Sequence, residues 1–85
     1  MKWPQWWDWE LELSPHLLRR MGDRNFSEAD LRSMMYDATG LHEDVEQGRW
    51  VVETKKGMDR WEIIVEPDTG GKLIVVITAY KVDEP

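Results

Sequence analysis

The sequence predicts an α+β fold: one strand, two short helices, then a three-stranded antiparallel meander, with both helices on one face of a twisted sheet. Two observations carry this expectation. Apolar residues recur at helical spacing over residues 15–38 and at every second position over residues 9–13 and 49–66, the periods of helix and strand. The run Leu73-Ile74-Val75-Val76-Ile77-Thr78-Ala79 has a polar side-chain atom only at Thr78, as expected of a strand with neighbours on both sides and cover on both faces.

Eighty-five residues close a single core. The chain divides into a Trp-rich N-terminal arm over residues 1–8 and one domain over residues 9–85. The arm carries Trp3, Trp6 and Trp7 beside Pro4 and Gln5 and follows no period. From residue 9 the pattern alternates: Trp9, Leu11 and Leu13 face one way and Glu10 and Glu12 the other, as on a half-solvated strand.

Ser14-Pro15 marks a helix start, with a capping hydroxyl and a proline where its missing N–H costs nothing. Leu13 and Leu18 have the spacing of a hydrophobic staple. Leu17, Leu18 and Met21 share one face, and Gly22 is placed to end the helix. The second start is Phe26-Ser27-Glu28-Ala29-Asp30-Leu31, with an N-cap, an acid at the capping-box position and a Phe26/Leu31 staple. Leu31, Met34, Met35 and Ala38 continue the helical spacing, and Gly40 is read as its end.

Residues 41–48, with His42, Glu43, Asp44 and Glu46, are polar and acidic and read as a loop. Beyond them Trp50 and Val52 alternate with Arg49, Val51 and Glu53. Lys55-Lys56-Gly57-Met58 turns, and Trp61, Ile63 and Val65 alternate with Arg60, Glu62 and Glu66, so a hairpin is expected. Pro67-Asp68-Thr69-Gly70-Gly71 supplies the turn into the last strand, residues 72–80.

Composition narrows the function. Seventeen acids against eleven bases leave a net charge of −6, a field that repels nucleic acid and anionic membranes unless a local basic patch overrides it. No segment approaches the ~20 apolar residues that span a bilayer, and the acids at 8, 10 and 12 break any signal-peptide run. A soluble, bacterial-type cytoplasmic protein is expected, with no membrane partner. Cysteine is absent, and His16 and His42 are distant in sequence, so no metal site is expected. No Gly-rich strand-to-helix loop offers a cofactor phosphate site, and no cofactor is expected.

The candidate chemistry lies on the first helix and the last strand. His16, Arg20 and Arg24 recur every four residues and form one stripe. Arginine offers a planar fork to phosphate oxygens and histidine exchanges a proton near neutral pH. An ion pair with Glu10, Glu12 or Asp23, or stacking on a Trp ring, would account for the stripe structurally. Regular alternation puts Thr78 and Tyr80 on the side of Ile74 and Val76. If that side faces the first helix, His16, Arg20, Thr78 and Tyr80 converge, and such a set suits metal-independent RNA cleavage. Tyr80 could equally be an amphipathic strand end with a wet hydroxyl, and His42 a solvated histidine. Trp3, Trp6 and Trp7 have three candidate roles: lidding the core, sealing a homodimer or protein interface, or stacking unpaired bases.

His16-Leu17-Leu18-Arg19-Arg20-Met21-Gly22-Asp23-Arg24, an H-x3-R-M-x2-R run, followed by Phe26-Ser27-Glu28-Ala29-Asp30-Leu31 and Val76-Ile77-Thr78-Ala79-Tyr80, resembles a prokaryotic family of small domains of unknown function. That family is similar to the RelE and BrnT ribonuclease toxins. The resemblance covers about residues 11–81. It implies a RelE-like fold, toxin-type action on RNA, an antitoxin-like protein partner, and a catalytic set of His16, Arg20, Arg24, Thr78 and Tyr80. His16 would be the acid or base, Arg20 and Arg24 the phosphate clamp, and Tyr80 a positioning or proton-transfer group. The alternatives of another class are a non-catalytic interaction module working through Trp3, Trp6 and Trp7, and a degenerate toxin fold acting as a regulator.

Overall fold

A computed structural model describes residues 3–83; the first two residues of the arm and the last two of the chain lie outside them. The architecture is α+β, with two helices on one face of a five-stranded mixed sheet of order β1-β5-β4-β3-β2. In chain order the elements are a 3-10 helix Gln5–Asp8, β1 (Glu10–Leu13), α1 (Pro15–Asp23), α2 (Glu28–Tyr36), β2 (Gly40–Glu43), β3 (Trp50–Lys56), β4 (Asp59–Asp68) and β5 (Leu73–Lys81).

Both helix starts form as their sequences dictate. The Ser14 hydroxyl accepts from Leu17 N–H, with Pro15 in the first turn. Ser27 and Asp30 form a reciprocal capping box, and the hydrogen bond from the Ser27 backbone N–H holds the Asp30 carboxyl below the usual carboxylate range. The helix ends differ from expectation. Gly22 lies inside α1, which closes at Arg24 with Asn25 in the left-handed region at φ 57°, a conformation asparagine tolerates better than most residues. Leu17 is buried and Met21 half-buried, but Leu18 is 56% exposed, so the apolar stripe of α1 is narrower than expected.

Residues 41–48 are not all loop: Gly40–Glu43 pair antiparallel with β3, so the meander has four strands. The strand escaped notice because Leu41 is its one strongly apolar residue. Gly40 does not cap α2, which ends at Tyr36. It is buried in β2, where an added Cβ would lie 2.5 Å from the mobile end of the Glu53 side chain. The sheet is also not purely antiparallel, because β1 runs parallel to β5 with Leu11 beside Ile74 and Leu13 beside Val76. That register puts the two leucines of β1 on the helix side with the apolar face of β5.

The core lies between the helices and the sheet: Leu17, Phe26, Leu31, Met34 and Met35 meet Val52, Trp61, Ile63, Val65, Ile74, Val76 and Ala79. Thr54, also buried, donates its hydroxyl to the Met34 carbonyl. Burying these side chains is the main favourable term in holding so small a domain together. Among the described residues no helix is long and apolar enough to cross a membrane.

Candidate functional site

β1 ends opposite Val76, leaving the rest of β5 without a strand along that edge. The two caps of α1 take its place. Ser14 N–H donates to the Val76 carbonyl, the Ser14 hydroxyl to the Ile77 carbonyl at 2.9 Å, and Arg24 Nη1 to the Ala79 carbonyl at 2.7 Å and to Thr78 Oγ1 at 3.1 Å. A guanidinium nitrogen carries two hydrogens, so Nη1 is fully engaged and the guanidinium is held in place. Among the described residues no carboxylate pairs with Arg24, whereas Arg20, Arg32 and Arg49 approach Asp23, Glu28 and Glu66. Among the described residues Arg24 Nε and Nη2 make no hydrogen bond; together they form the edge of a guanidinium whose spacing matches that of two phosphate oxygens.

Tyr80 donates its hydroxyl to Glu62 Oε1 at 2.7 Å. Burial, then that hydrogen bond, push the phenol up to about 12, with the Arg24 charge acting the other way. Near neutral pH Tyr80 is therefore a proton donor. Glu62 lies between Trp61 and Ile63, both in the core, so it points to the opposite face, which no helix covers. Tyr80 is its cross-strand neighbour and shares that open face.

This corrects the side expected for Thr78 and Tyr80. On β4, Ile64 opposes Thr78 while Val65 opposes Val76, so Ile77 is an extra residue and β5 bulges there. The bulge reverses the alternation: Ile74, Val76 and Ala79 enter the core, and Thr78 and Tyr80 turn away from it. They share a side with each other but not with Ile74 and Val76.

The structure thus joins Arg24 to Thr78 and places Tyr80 beside them. His16 and Arg20 are exposed on the preceding turns of α1, and among the described residues neither bonds to Thr78 or Tyr80. His16 lies eight residues before Arg24, roughly 12 Å along the helix. The ion pair at Arg20 is with Asp23, 3.6 Å away and exposed, not with Glu10 or Glu12.

The sequence pattern does not single out Glu62 or Ser14 as site residues. Glu62 looked like one more acid on a wet strand face, and only the cross-strand register shows that it meets Tyr80. Ser14 carries the local signal of a helix cap alone, because its partner on β5 is 63 positions away. His42, read as solvated, lies on β2 with Nδ1 3.7 Å from Glu53 Oε2. Among the described residues no group of three or more His, Asp and Glu side chains could hold a metal ion.

The Trp-rich segment lies by the other end of β5. Trp3 stacks on Trp7 with centroids 4.5 Å apart, Trp6 tilts against Trp50 at 5.7 Å, and Trp6, Trp7 and Trp9 pack on the core. A groove beside them is lined by Trp7, Leu11, Arg32, Met35 and Tyr36, and Tyr36 is 90% exposed.

No protein-family model matches the sequence, and no curated protein matches it. Among solved structures the fold is similar to the crystal structure of the Brucella abortus ribonuclease toxin BrnT, with a TM-score of 0.67 over 89% of this chain and 99% of that one, at 15% identity. At that identity the likeness is one of fold.

Proposed function

We propose that this chain is a RelE-like, toxin-type domain that binds RNA and cleaves it without a metal, in a bacterial-type cytoplasm and under the control of an antitoxin-like protein. The observation that carries this reading is Arg24: a cation fixed on the β5 edge, with an open fork and a phenol donor nearby, in an otherwise acidic chain whose fold is similar to that of a ribonuclease toxin.

The chemistry asks little of such a site. A 2′-hydroxyl attacks the adjacent phosphorus, its proton goes to a base, and the departing 5′-oxygen takes a proton from an acid, leaving a cyclic phosphate and a free hydroxyl. Arg24, with Arg20 one turn back, stabilises charge on the phosphate oxygens. Tyr80, still protonated at neutral pH, turns its single hydroxyl proton from Glu62 to the reacting phosphate when RNA binds. His16, on the exposed start of the stripe, exchanges the remaining proton. Thr78 holds the Arg24 guanidinium in place.

Incubating the protein with total RNA beside His16→Ala, Arg24→Ala and Tyr80→Phe tests the assignment. Cleavage by the wild type that falls at least on the order of tenfold in each variant is expected; equal cleavage in all four removes the site.

A second function, that of a non-catalytic interaction module, is favoured by the groove beside Trp7 and the exposed Tyr36 ring, since interfaces are enriched in aromatic residues. Trp3, Trp6 and Trp7 would then help form the contact with a protein partner or a second copy. Light scattering of the wild type against Tyr36→Ala decides the self-association form: a monomeric mass in both removes it.

A further inference from the structure

The bulge in β5 decides where Tyr80 points, and its hydrogen bonds identify what holds it. Along a regular strand, successive carbonyls point to alternate edges. Here two consecutive carbonyls, Val76 and Ile77, face the same edge, because both accept from one residue: Val76 from Ser14 N–H and Ile77 from the Ser14 hydroxyl. The extra residue is left out of the ladder with β4, and on the opposite edge β1 has ended at Val76, so no strand N–H reaches the Ile77 carbonyl. Ser14 serves both carbonyls with one backbone donor and one side-chain donor. The same hydroxyl oxygen accepts from Leu17 N–H, so its single proton goes to β5 and a lone pair caps α1.

We infer that Ser14 is the positioning residue of the candidate site: its hydroxyl fixes the bulge at Ile77 and so keeps Tyr80 on the open face against Glu62. The part of this inference that concerns RNA rests on the function proposed above; the part that concerns Tyr80 does not. Without the extra residue Tyr80 would rotate to the side of Ile74 and Val76, the core side, and Ala79 would leave the core. Bulges next to active sites re-aim side chains in this way. Arg24, on the Ala79 carbonyl two residues further on, depends on the same shift, since Val76, Ile77 and Ala79 all present their carbonyls to α1.

Ser14 also caps a helix, and the two roles separate by substitution. Aspartate is among the best N-caps but has no proton to give the Ile77 carbonyl, whereas threonine keeps both functions. The measurement is made on the full chain carrying Tyr36→Phe, which leaves Tyr80 as the single tyrosine of the original two. Its ring is labelled with 13C at Cζ, and NMR reads its hydrogen bond at neutral pH and its deprotonation as pH rises. We expect Ser14→Thr to match the parent. Ser14→Asp should keep the helical circular dichroism while the Tyr80 resonance moves and its midpoint falls from about 12 toward the ordinary tyrosine value near 10.

A Ser14→Asp protein whose Tyr80 signal is unchanged overturns the inference, as does Ser14→Thr moving the signal as far as Ser14→Asp. Should Ser14→Asp not fold, Ser14→Gly serves, because glycine is nearly as good a cap as serine and retains the N–H to Val76; an unmoved Tyr80 there is equally fatal. RNA cleavage is assayed on the same proteins and should fall on the order of tenfold with Ser14→Asp, the scale of a small misplacement of catalytic groups. A moved Tyr80 with unaltered cleavage refutes the RNA assignment of this site and leaves the positioning role standing.

Discussion

The two ends of β5 are built on different physics. Near Leu73, tryptophans of the N-terminal segment stack on each other, on Trp50 and on the core, held by contact area that has little directional preference. Near Tyr80, two hydroxyls, one guanidinium, one phenol and one carboxylate are held by hydrogen bonds of 2.7 to 3.1 Å, each with a required direction. The first end can absorb a shifted ring and still be filled. The second cannot lose a partner without leaving a polar group unsatisfied. The comparison separates residues that hold the fold from residues that hold a geometry, and it locates the latter around the bulge.

The largest expected effect is at the apolar end. Trp6→Ala should destabilise by about 2–3 kcal/mol, below the range for a fully buried tryptophan because Trp6 is half-buried, while the Tyr80 resonance stays where it was; denaturant unfolding and NMR on the same sample check both halves. Next comes Arg24→Leu, which strips the donors from the Ala79 carbonyl and Thr78. A loss of about 2 kcal/mol should appear together with loss of RNA cleavage, and retained cleavage would break the comparison.

A smaller effect is pH-dependent. The folded Tyr80 phenol is raised to about 12 from an ordinary value of 10.0, so its contribution is complete below the ordinary value and is lost as pH climbs through the raised one. Between pH 10 and 12 unfolding free energy should drop by about 1–2 kcal/mol more in the wild type than in Tyr80→Phe, as read from urea titrations at a series of alkaline pH values. Gly40→Ala should matter least, under about 1 kcal/mol, because the atom nearest the new Cβ is the end of the Glu53 side chain, which can swing away; loss of the His42 contact with Glu53, followed by the histidine NMR signals, is the expected sign.

Much of the fold was legible in residue spacing. Ser14-Pro15 and the Ser27/Asp30 box started helices where expected, and Trp61, Ile63 and Val65 face the core as their alternation required. β2 was not legible, because one apolar residue in four positions gives no period. The parallel pairing of β1 was not legible either, since strand partners are chosen by whole-chain topology. The site was half-legible. Arginines spaced by four named Arg24 as a candidate, but nothing in the spacing shows that Arg24 is anchored by Thr78 while Arg20 pairs with Asp23.

By itself the sequence determined the class of fold, the helix starts and the apolar faces, because capping and hydrophobic period are local properties, set within a few residues of one another. Only the tertiary structure decided which way Tyr80 points. That depends on Ile77 being one residue too many for β4, and on Ser14, 63 positions away in the chain, supplying the hydrogen bond that makes the extra residue stable. Local alternation continues through residues 74–80 as though no bulge were there, and only a long-range partner can reverse it.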